Sequence, residues 1–309
     1  MQTVLAGDLG GTKCRFALVS ADFGVHRVQH VATVRERAPF LHEFDRAIAA
    51  VLADLPPGLE RPTTAAFGTA GVIPVHGRSI DKAPNLPLDG YQLAEHVEQR
   101  FSLRTTLLND GRASAWGEFL RGHAVQRDPL LCLFFGTGIG IGLIVGGRPY
   151  QGATNAAGEI GHTVFLPGGR RCPCGALGHL EAYCGGRAIT ERAAAEVGQA
   201  PESSWTVGAV VHAADQGNGA ARAILADAES AACTLVQNAC TLLNPSAVVL
   251  GGGVLSGWPA LRDRIVDHVR RCTSPLIHQD LLFVDSLGGS DAILWGAAAA
   301  TGSLWPASR

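Results

Sequence analysis

Two short acidic motifs carry residue types that could bind phosphate and accept a proton. The first is the run Asp8, Leu9, Gly10, Gly11, Thr12 and Lys13. Glycines in a tight turn let backbone N–H groups approach phosphate oxygens, and a carboxylate at a strand end could hold Mg²⁺, usually through water. In the second, Asn109-Asp110, a carboxylate beside an amide suits a general base that faces a substrate hydroxyl. Two simpler alternatives stay open: an ordinary hairpin turn at 8–13, and an Asp110 that caps the following helix.

Two further glycine runs follow predicted strands. They are Gly136-Thr137-Gly138-Ile139-Gly140 and Gly251-Gly252-Gly253. A second glycine turn would let two loops hold one polyphosphate, and the triple glycine would let the backbone pack against a nucleotide base or sugar. The chain contains no Gly-Lys pair, and Ile141 stands where the dinucleotide fingerprint requires its third glycine. A Walker A loop is therefore excluded, and a nicotinamide enzyme loses its main support.

A loop rich in cysteine and histidine offers a metal site. Its candidate ligands are His162, Cys172, Cys174 and His179. Two thiolates and two imidazoles match the tetrahedral ligands of Zn²⁺, and four protein ligands without an open position indicate a structural ion. Such an ion would fix the neighbouring Glu159 and Glu181, whose carboxylates can accept hydrogen bonds from sugar hydroxyls. The alternative is a loop with free cysteines.

The pattern of apolar residues predicts the elements that position these motifs. A β-hairpin is expected around the first glycine turn, with strands on either side of residues 8–13. Helical spacing predicts helices over Phe40–Leu55 and Tyr91–Arg100. Buried strands are expected over Thr64–Gly68 and over Thr105–Leu108, and the second strand delivers Asn109 and Asp110 at its carboxyl end.

A second cycle of strands and helices follows the first. Leu130–Phe135 and Ile141–Val145 read as strands around the second glycine turn, and this echo of the first hairpin suggests an internal duplication of two α/β domains. The segment from Pro149 to Gly186 looks irregular. The remaining predicted elements are helices over Thr190–Val197, Ala220–Leu243 and Ala292–Ala300 and a strand over Ala247–Leu250.

Composition narrows the classes of protein. The 309 residues are 47% hydrophobic and 17% charged, with a net charge of −2, and this length suits two domains. No block of Lys and Arg provides the positive surface of a nucleic-acid binder. No secretory signal is apparent, and no apolar run approaches the length of a membrane span. Eight cysteines without an export signal favour reduced thiols or metal ligands. We expect a cytoplasmic protein with a small-molecule partner and neither nucleic acid nor membrane.

These motifs together resemble the ROK (repressor, open reading frame, kinase) sugar kinases. The resemblance runs from Asp8 to the helix near Gly296, and its most specific parts are Gly158–His162 and Cys172–Glu181. It implies an α/β, two-domain actin-like (ribonuclease-H-like) fold with an inter-domain cleft. The expected domains are a small N-terminal one over 1–111, onto which a C-terminal helix over about 293–309 packs, and a larger one over 112–292 with the zinc loop.

The resemblance also implies roles for individual residues. Asp110 matches the catalytic base. The positions that contact the sugar in the family correspond here to Asn85, Asn109, Glu159, His162 and Glu181. The nucleotide-binding positions match Asp8, Gly10, Gly11, Thr12 and Lys13 in the first phosphate loop, Thr137 and Gly138 in the second, and Gly251, Gly252 and Gly253 at the adenosine. The family's zinc ligands correspond here to His162, Cys172 and Cys174. His179 stands where the family usually has a third cysteine. Because imidazole binds Zn²⁺ well, a Cys₂His₂ site is expected.

The implied activity is transfer of the γ-phosphoryl group of ATP to a sugar hydroxyl that Asp110 orients, with Mg²⁺ bridging the phosphate oxygens. Glucose is the first choice, because the Cys-x-Cys loop resembles that of the glucokinase-like members. N-acetylglucosamine, N-acetylmannosamine, mannose and fructose remain open as substrates. Dimers are common among the relatives, so a homodimer is expected.

Two other classes of protein compete with the kinase. The family includes transcriptional repressors, which carry a helix-turn-helix domain before the first phosphate loop, and only seven residues precede Asp8 here. A sugar-sensing regulatory protein without catalysis is the second alternative. Asp8, Lys13 and Asp110 argue against it, and a test of ATP consumption would decide.

Overall fold

The computed structural model describes residues 1–198, 204–287 and 289–305. The chain forms two compact units. Unit 1 contains Met1–Asp128, Gly142–Gly158 and Ser286–Arg309, and unit 2 contains Pro129–Ile141 and Glu159–Asp285. The predicted domain bounds, 1–111 and 112–292, stay a prediction.

Ten strands lie within the described residues. In chain order they are β1 (Thr3–Leu9), β2 (Lys13–Ser20), β3 (Val25–Ala32), β4 (Thr64–Thr69), β5 (Arg104–Asn109), β6 (Leu130–Phe135), β7 (Ile139–Val145), β8 (Arg148–Pro149), β9 (Ala247–Gly251) and β10 (Leu282–Asp285).

Eleven helices and a 3₁₀ turn (Ile160–His162) accompany these strands in the described parts of the chain. The helices are α1 (Arg37–Leu52), α2 (Leu93–Phe101), α3 (Asp110–Arg121), α4 (Glu181–Cys184), α5 (Gly186–Glu196), α6 (Val207–Asp215), α7 (Gly219–Leu243), α8 (Gly253–Gly257), α9 (Ala260–Cys272), α10 (Pro275–His278) and α11 (Gly289–Ala300). None of the described helices combines the length and the apolar character needed to cross a bilayer.

The five-stranded sheet of unit 1 has the order β3-β2-β1-β4-β5. The β1–β2 hairpin is antiparallel, and β1, β4 and β5 run parallel to one another. Alternate residues of β1 serve two cores, because successive side chains of a strand point to opposite faces. Leu5 and Leu9 join one core with residues of α1, and Val4 and Ala6 join another with residues of α11. Helices therefore cover both faces of this sheet.

The second sheet has the order β10-β9-β6-β7-β8. Starting from the opposite end, this order matches that of the first sheet, and β6, β9 and β10 are parallel as β1, β4 and β5 are. The repeated topology agrees with the internal duplication that the sequence echo predicts. Within unit 2, residues of β6 and β9 pack against the alanine-rich helix α7 in one core.

Most of the elements predicted from the sequence are present, with shifted ends. The helix predicted over Phe40–Leu55 spans Arg37–Leu52, and that over Tyr91–Arg100 begins at Leu93. The C-terminal helix predicted over about 293–309 is α11, which ends at Ala300; residues 306–309 lie outside the described residues.

The sequence interpretation missed several elements of the described chain, among them β3, α6, α9 and β10. Their length and composition explain this. β3 is half-buried along most of its length and lacks a clear alternation. α9 is rich in charge, and α6 and β10 are short, with nine and four residues. The segment over 149–186, predicted to be irregular, contains only the 3₁₀ turn and the four-residue helix α4 as regular helix.

Candidate active site

The carboxyl ends of three parallel strands bring the two acidic motifs to one edge of the unit 1 sheet. In the register of β1 and β4, Asp8 lies beside Gly68, and in that of β4 and β5, Thr69 lies beside Asn109. Since parallel strands end at the same edge, Asp8 and Asp110 share that edge. The sequence predicted both positions, and the register explains why residues so distant in the chain meet.

Gly68 lets the helices approach this edge closely. A Cβ atom at Gly68 would lie 2.6 Å from Cγ2 of Ile293 in α11 and 3.2 Å from Cβ of Ala113 in α3. Such distances require the neighbours to move. The missing side chain therefore allows the first turn of α3, which begins with Asp110, to pack directly on β4.

Asp110 is the first residue of α3, and its neighbour Asn109 is the cap. The Arg112 N–H donates to Oδ1 of Asn109 at 3.3 Å, and the Gly111 N–H donates to Oδ1 of Asp110 at 2.9 Å. The alternative that Asp110 caps the helix is therefore wrong. Burial raises the pKa of the Asp110 carboxyl, while the hydrogen bond from Gly111 and the nearby charge of Arg112 oppose that rise.

Asp8 is a second carboxyl with a perturbed affinity for protons. Burial raises its pKa to about 7, and the charge of Asp110 adds to the rise, whereas Arg15 and Lys13 oppose it. Arg15 stands directly across from Asp8 in the hairpin and forms an ion pair with Asp291 at 2.5 Å. The sequence interpretation did not single out Arg15. Its signal was a charged residue within an otherwise apolar strand.

The first glycine loop packs against the segment that contains Asn85. The Gly10 N–H donates to the Lys13 carbonyl at 3.2 Å and closes the turn, and Thr12 and Lys13 are exposed. A Cβ atom at Gly11 would lie 2.5 Å from Cβ of Asn85. Glycine is therefore required at this close approach, which brings a predicted sugar contact beside a predicted phosphate loop.

The second glycine turn, within unit 2, is built around Glu181. The Ile139 N–H donates to Oε2 of Glu181 at 2.8 Å, and a Cβ atom at Gly138 would collide with the same carboxylate. The carbonyl of Thr137 accepts from the N–H of Arg187 at 3.0 Å. One oxygen of Glu181, which the sequence predicted to contact sugar, thus supports the turn that was predicted to bind phosphate.

The third glycine run forms the turn between β9 and α8. Gly252 has a φ of 101°, and a Cβ atom there would collide with the backbone of Phe135. Gly253, the first residue of α8, is exposed, and no atom lies within 4 Å of the position that its Cβ atom would occupy. Gly253 therefore presents open backbone at the start of α8, whereas Gly252 packs against Phe135.

The four candidate metal ligands come together in unit 2. Their ligand atoms all lie within 4.8 Å of one another in the group His162, Cys172, Cys174 and His179. The closest pairs are Sγ of Cys172 with Nδ1 of His162 at 3.5 Å and Sγ of Cys174 with Nδ1 of His179 at 3.3 Å. Bond lengths of about 2.3 Å to sulfur and about 2.0 Å to nitrogen give a tetrahedral edge of about 3.5 Å, so the donor set fits Zn²⁺.

His162 has two separate partners, one on each ring nitrogen. Its Nδ1 faces Cys172, and its Nε2 lies 3.8 Å from Oε2 of the exposed Glu159. A metal-bound histidine commonly donates its second N–H to a carboxylate, which orients the ring. The geometry thus places Nδ1 among the candidate metal ligands and Nε2 beside Glu159, and the contact of His162 with sugar stays a prediction.

Comparison with known proteins gives one consistent family. The sequence profile of the ROK family matches residues 4–301. A glucokinase of Streptomyces coelicolor is 28% identical over 284 residues, which cover 88% of this chain and 87% of that protein. An N-acetylmannosamine kinase of Shigella flexneri is also 28% identical, over 84% of this chain and 86% of its own length.

A solved structure confirms the fold class. The ROK family glucokinase of Streptomyces griseus, determined in complex with glucose and AMPPNP, superimposes with a TM-score of 0.79. It is 27% identical and covers 96% of this chain and 98% of its own. The α/β, actin-like two-domain fold expected from the sequence is therefore confirmed, and the chain belongs to the ROK family.

Proposed function

We propose that this ROK protein transfers the γ-phosphoryl group of ATP to a hexose hydroxyl, with the 6-hydroxyl of glucose as the first choice. The chain is an ATP-dependent sugar kinase by its family and by its glucokinase and N-acetylmannosamine kinase relatives. The observation that carries the proposed mechanism is the meeting of Asp8 and Asp110 at one edge of the unit 1 sheet, close enough for the charge of Asp110 to raise the pKa of Asp8.

Asp110 acts as the base in this proposal. Its backbone position is fixed by the first turn of α3, and the Asn109 cap holds that turn in place. A raised pKa makes the carboxylate a stronger base, provided that the pH is high enough to ionise it. The carboxylate accepts the proton of the sugar hydroxyl as the hydroxyl oxygen attacks phosphorus, and Asn109 offers an amide that can hold the same sugar.

Asp8 and the glycine loop bind the phosphates of ATP, Asp8 through Mg²⁺ and the loop through N–H and side-chain donors. Asp8 lies near the carboxyl end of β1, beside the exposed Thr12 and Lys13, and its carboxylate is the kind of oxygen donor that Mg²⁺ prefers, so it would hold the ion, usually through water. When bound, Mg²⁺ neutralises charge on the phosphate oxygens. Lys13 and Thr12 are exposed beside the turn and can donate to phosphate oxygens together with the backbone of Gly10 and Gly11.

Unit 2 carries the other residues that this proposal assigns to substrate. Thr137 and Gly138 form the second phosphate loop, and the backbone of Gly251, Gly252 and Gly253 holds the adenosine. Glu159, His162 and Glu181 bind sugar hydroxyls. The open space above Gly253 and the fixed carboxylate of Glu181 support these assignments.

A structural Zn²⁺ completes the proposal. His162, Cys172, Cys174 and His179 would hold it, since the two closest pairs lie at about the tetrahedral edge length and all four ligand atoms lie within 4.8 Å of one another. With four protein ligands such an ion would be structural, and it would order the loop that carries Glu159 and leads to Glu181.

The sugar itself needs a direct test, because a glucokinase and an N-acetylmannosamine kinase are equally identical to this chain. Purified protein with ATP and Mg²⁺ would be offered glucose, mannose, fructose, N-acetylglucosamine and N-acetylmannosamine in turn, and ADP release would be followed. We expect turnover with glucose above the others. Faster turnover with another sugar would reassign the substrate and leave the kinase intact.

The Asp110→Asn variant tests the mechanism in the same assay. We expect kcat to fall by about 10²–10⁴-fold, the usual contribution of a general base. Asp54→Asn, at an exposed aspartate, is the matched control and should retain activity. Full activity in Asp110→Asn would contradict the role of Asp110. A folded, metal-loaded wild type that releases no ADP with any sugar would favour the sugar-sensing alternative.

We also propose a cytoplasmic homodimer, on the pattern of the family. Analytical ultracentrifugation at several protein concentrations would give the oligomeric state, and a monomer at all concentrations would contradict it.

A further inference from the structure

A buried cation stands two residues after Asp110. Arg112 is 5% exposed and lies in the first turn of α3. Positive charge near the start of a helix is disfavoured by the helix dipole, and burying a guanidinium has a further cost in lost solvation. An arginine is therefore an unexpected choice at this position unless its contacts serve a purpose.

Those contacts reach a distant loop of unit 1. Nη1 of Arg112 donates to Oδ1 of Asn155 at 2.6 Å, and Nη2 donates to the carbonyls of Asn155 at 2.8 Å and Ala157 at 3.1 Å. The planar guanidinium thus binds both the side chain and the backbone of one asparagine, a geometry that lysine cannot reproduce.

Asn155 also contacts a third segment of the chain, the one that contains Ile73. It is buried, with a φ of 61°, a backbone conformation that asparagine and glycine adopt more readily than other residues. Its Nδ2 donates to the carbonyl of Ile73 at 2.6 Å. The amide therefore joins Arg112 to the segment that follows β4.

That segment leads to Asn85. The Val72 N–H donates to the Lys82 carbonyl at 2.8 Å, and the Asp81 N–H donates to the Val72 carbonyl at 3.0 Å. Asn85 follows Lys82 by three residues and packs on Gly11. Hydrogen bonds and two short stretches of chain, Val72 to Ile73 and Lys82 to Asn85, thus connect the first turn of α3 to the first glycine loop.

We propose that Arg112 and Asn155 are positioning residues that set the place of Asn85 relative to Asp110 and so determine the affinity for the sugar. This inference rests on the proposed function. Neither residue needs to touch the substrate, because each acts through the segment that it holds. Displacing a substrate contact by about 1 Å can lower the rate about 10²-fold, so small movements at Ile73 would be detectable in the kinetics.

We call the hydrogen-bonded pair of Arg112 and Asn155 the clamp, and two substitutions test its two residues separately. Arg112→Lys keeps the charge and loses the bidentate contact, and Asn155→Gly keeps a backbone that tolerates positive φ and loses the amide. For both we expect the KM for sugar to rise about 10-fold or more while the KM for ATP stays within about twofold. A general loss of folded protein would lower the amount of active enzyme without such a split between the two KM values.

Arg192→Lys is the matched control. Arg192 is 8% exposed in α5 and pairs with Glu196 and Asp227 within unit 2. Its replacement removes a comparable buried guanidinium outside the clamp. We expect a lower melting temperature with an unchanged KM for sugar.

Hydrogen exchange provides a readout that does not depend on catalysis. In Asn155→Gly the amides of Val72 and Asp81 should exchange faster than in the wild type, whereas the amides of β9 should not change. Turnover by the wild type tests the proposed function, and the exchange of these two amides tests the clamp even if that function fails. A KM for sugar within twofold of wild type in Asn155→Gly, or unchanged exchange at Val72 and Asp81, would overturn the inference.

Discussion

The charge of Asp110 acts on the carboxyl of Asp8 across the end of β4. Burial and the charge of Asp110 together raise the pKa of Asp8 to about 7, and the cations Arg15 and Lys13 only partly offset this. A carboxyl with a raised pKa binds more protons in the folded state than in the unfolded state. Its contribution to stability is therefore fully present below its ordinary pKa of 3.8 and is lost as the pH rises through about 7.

Replacing Asp8 should remove this pH dependence. We expect Asp8→Asn to be more stable than the wild type at pH 8 and to gain much less at pH 4.5, because only the ionised carboxyl is destabilising. Urea unfolding at the two pH values would measure the difference in the free energy of unfolding, with protein that is loaded with zinc and free of Mg²⁺ and nucleotide. Asp54→Asn serves as the exposed control. An equal gain at both pH values would show that Asp8 is not the group responsible. Turnover by Asp8→Asn should fall sharply, since the phosphate site loses its carboxylate.

A substitution at Arg15 tests how a neighbouring cation affects the pKa of Asp8. Arg15→Gln removes the cation across the hairpin from Asp8, so the pKa of Asp8 should rise further. Asp8 must be ionised to serve Mg²⁺, and we therefore expect kcat/KM to fall several-fold more at pH 6.5 than at pH 8.5. The pH profile of kcat/KM for the variant and the wild type gives the measurement. If the acid limb of this pH profile lies at the same pH in the variant and the wild type, Arg15 does not affect the pKa of Asp8.

The sequence predicted the chemistry of the site better than the contacts that support it. Asp110 at the end of a strand, the glycine hairpin at 8–13 and the Cys-x-Cys loop each follow from local patterns of a few residues. The clamp of Arg112 and Asn155 joins positions 43 residues apart, and the residues around each one do not identify its partner.

The contact of Glu181 with Ile139 escaped prediction for the same reason, since it spans 42 residues. Strand register likewise brings Asp8 and Asn109 to one edge of the sheet. It becomes visible only when β1, β4 and β5, or β6 and its neighbours, are laid side by side. Local sequence thus identifies which groups can react, and the sheet determines which groups they meet.

Gly253 offers a test of the adenosine site with little risk to folding. An alanine there meets no atom within 4 Å and occupies the first position of α8. We expect Gly253→Ala to keep or raise the melting temperature, because alanine favours helix over glycine. If adenosine packs on this backbone, the KM for ATP should rise at least several-fold while the KM for sugar stays unchanged.

Gly219 is the matched control for Gly253. It also begins a helix, α7, and also has no atom within 4 Å of its potential Cβ position. Gly219→Ala should resemble Gly253→Ala in stability and the wild type in its KM for ATP. If the two variants have the same KM for ATP, the adenosine does not lie at Gly253.

Metal content tests the cysteine–histidine group. Elemental analysis of protein purified without chelator should give about one zinc per chain, and His179→Ala should lose it, whereas His179→Cys should retain it by restoring a sulfur ligand. Removal of zinc with a chelator should lower the melting temperature, because binding to the folded loop contributes to folding free energy. Cys272→Ser, at an exposed cysteine outside the group, should change neither quantity. Zinc retained at full occupancy in His179→Ala would show that His179 is not a ligand and that the ion is held by the other three residues.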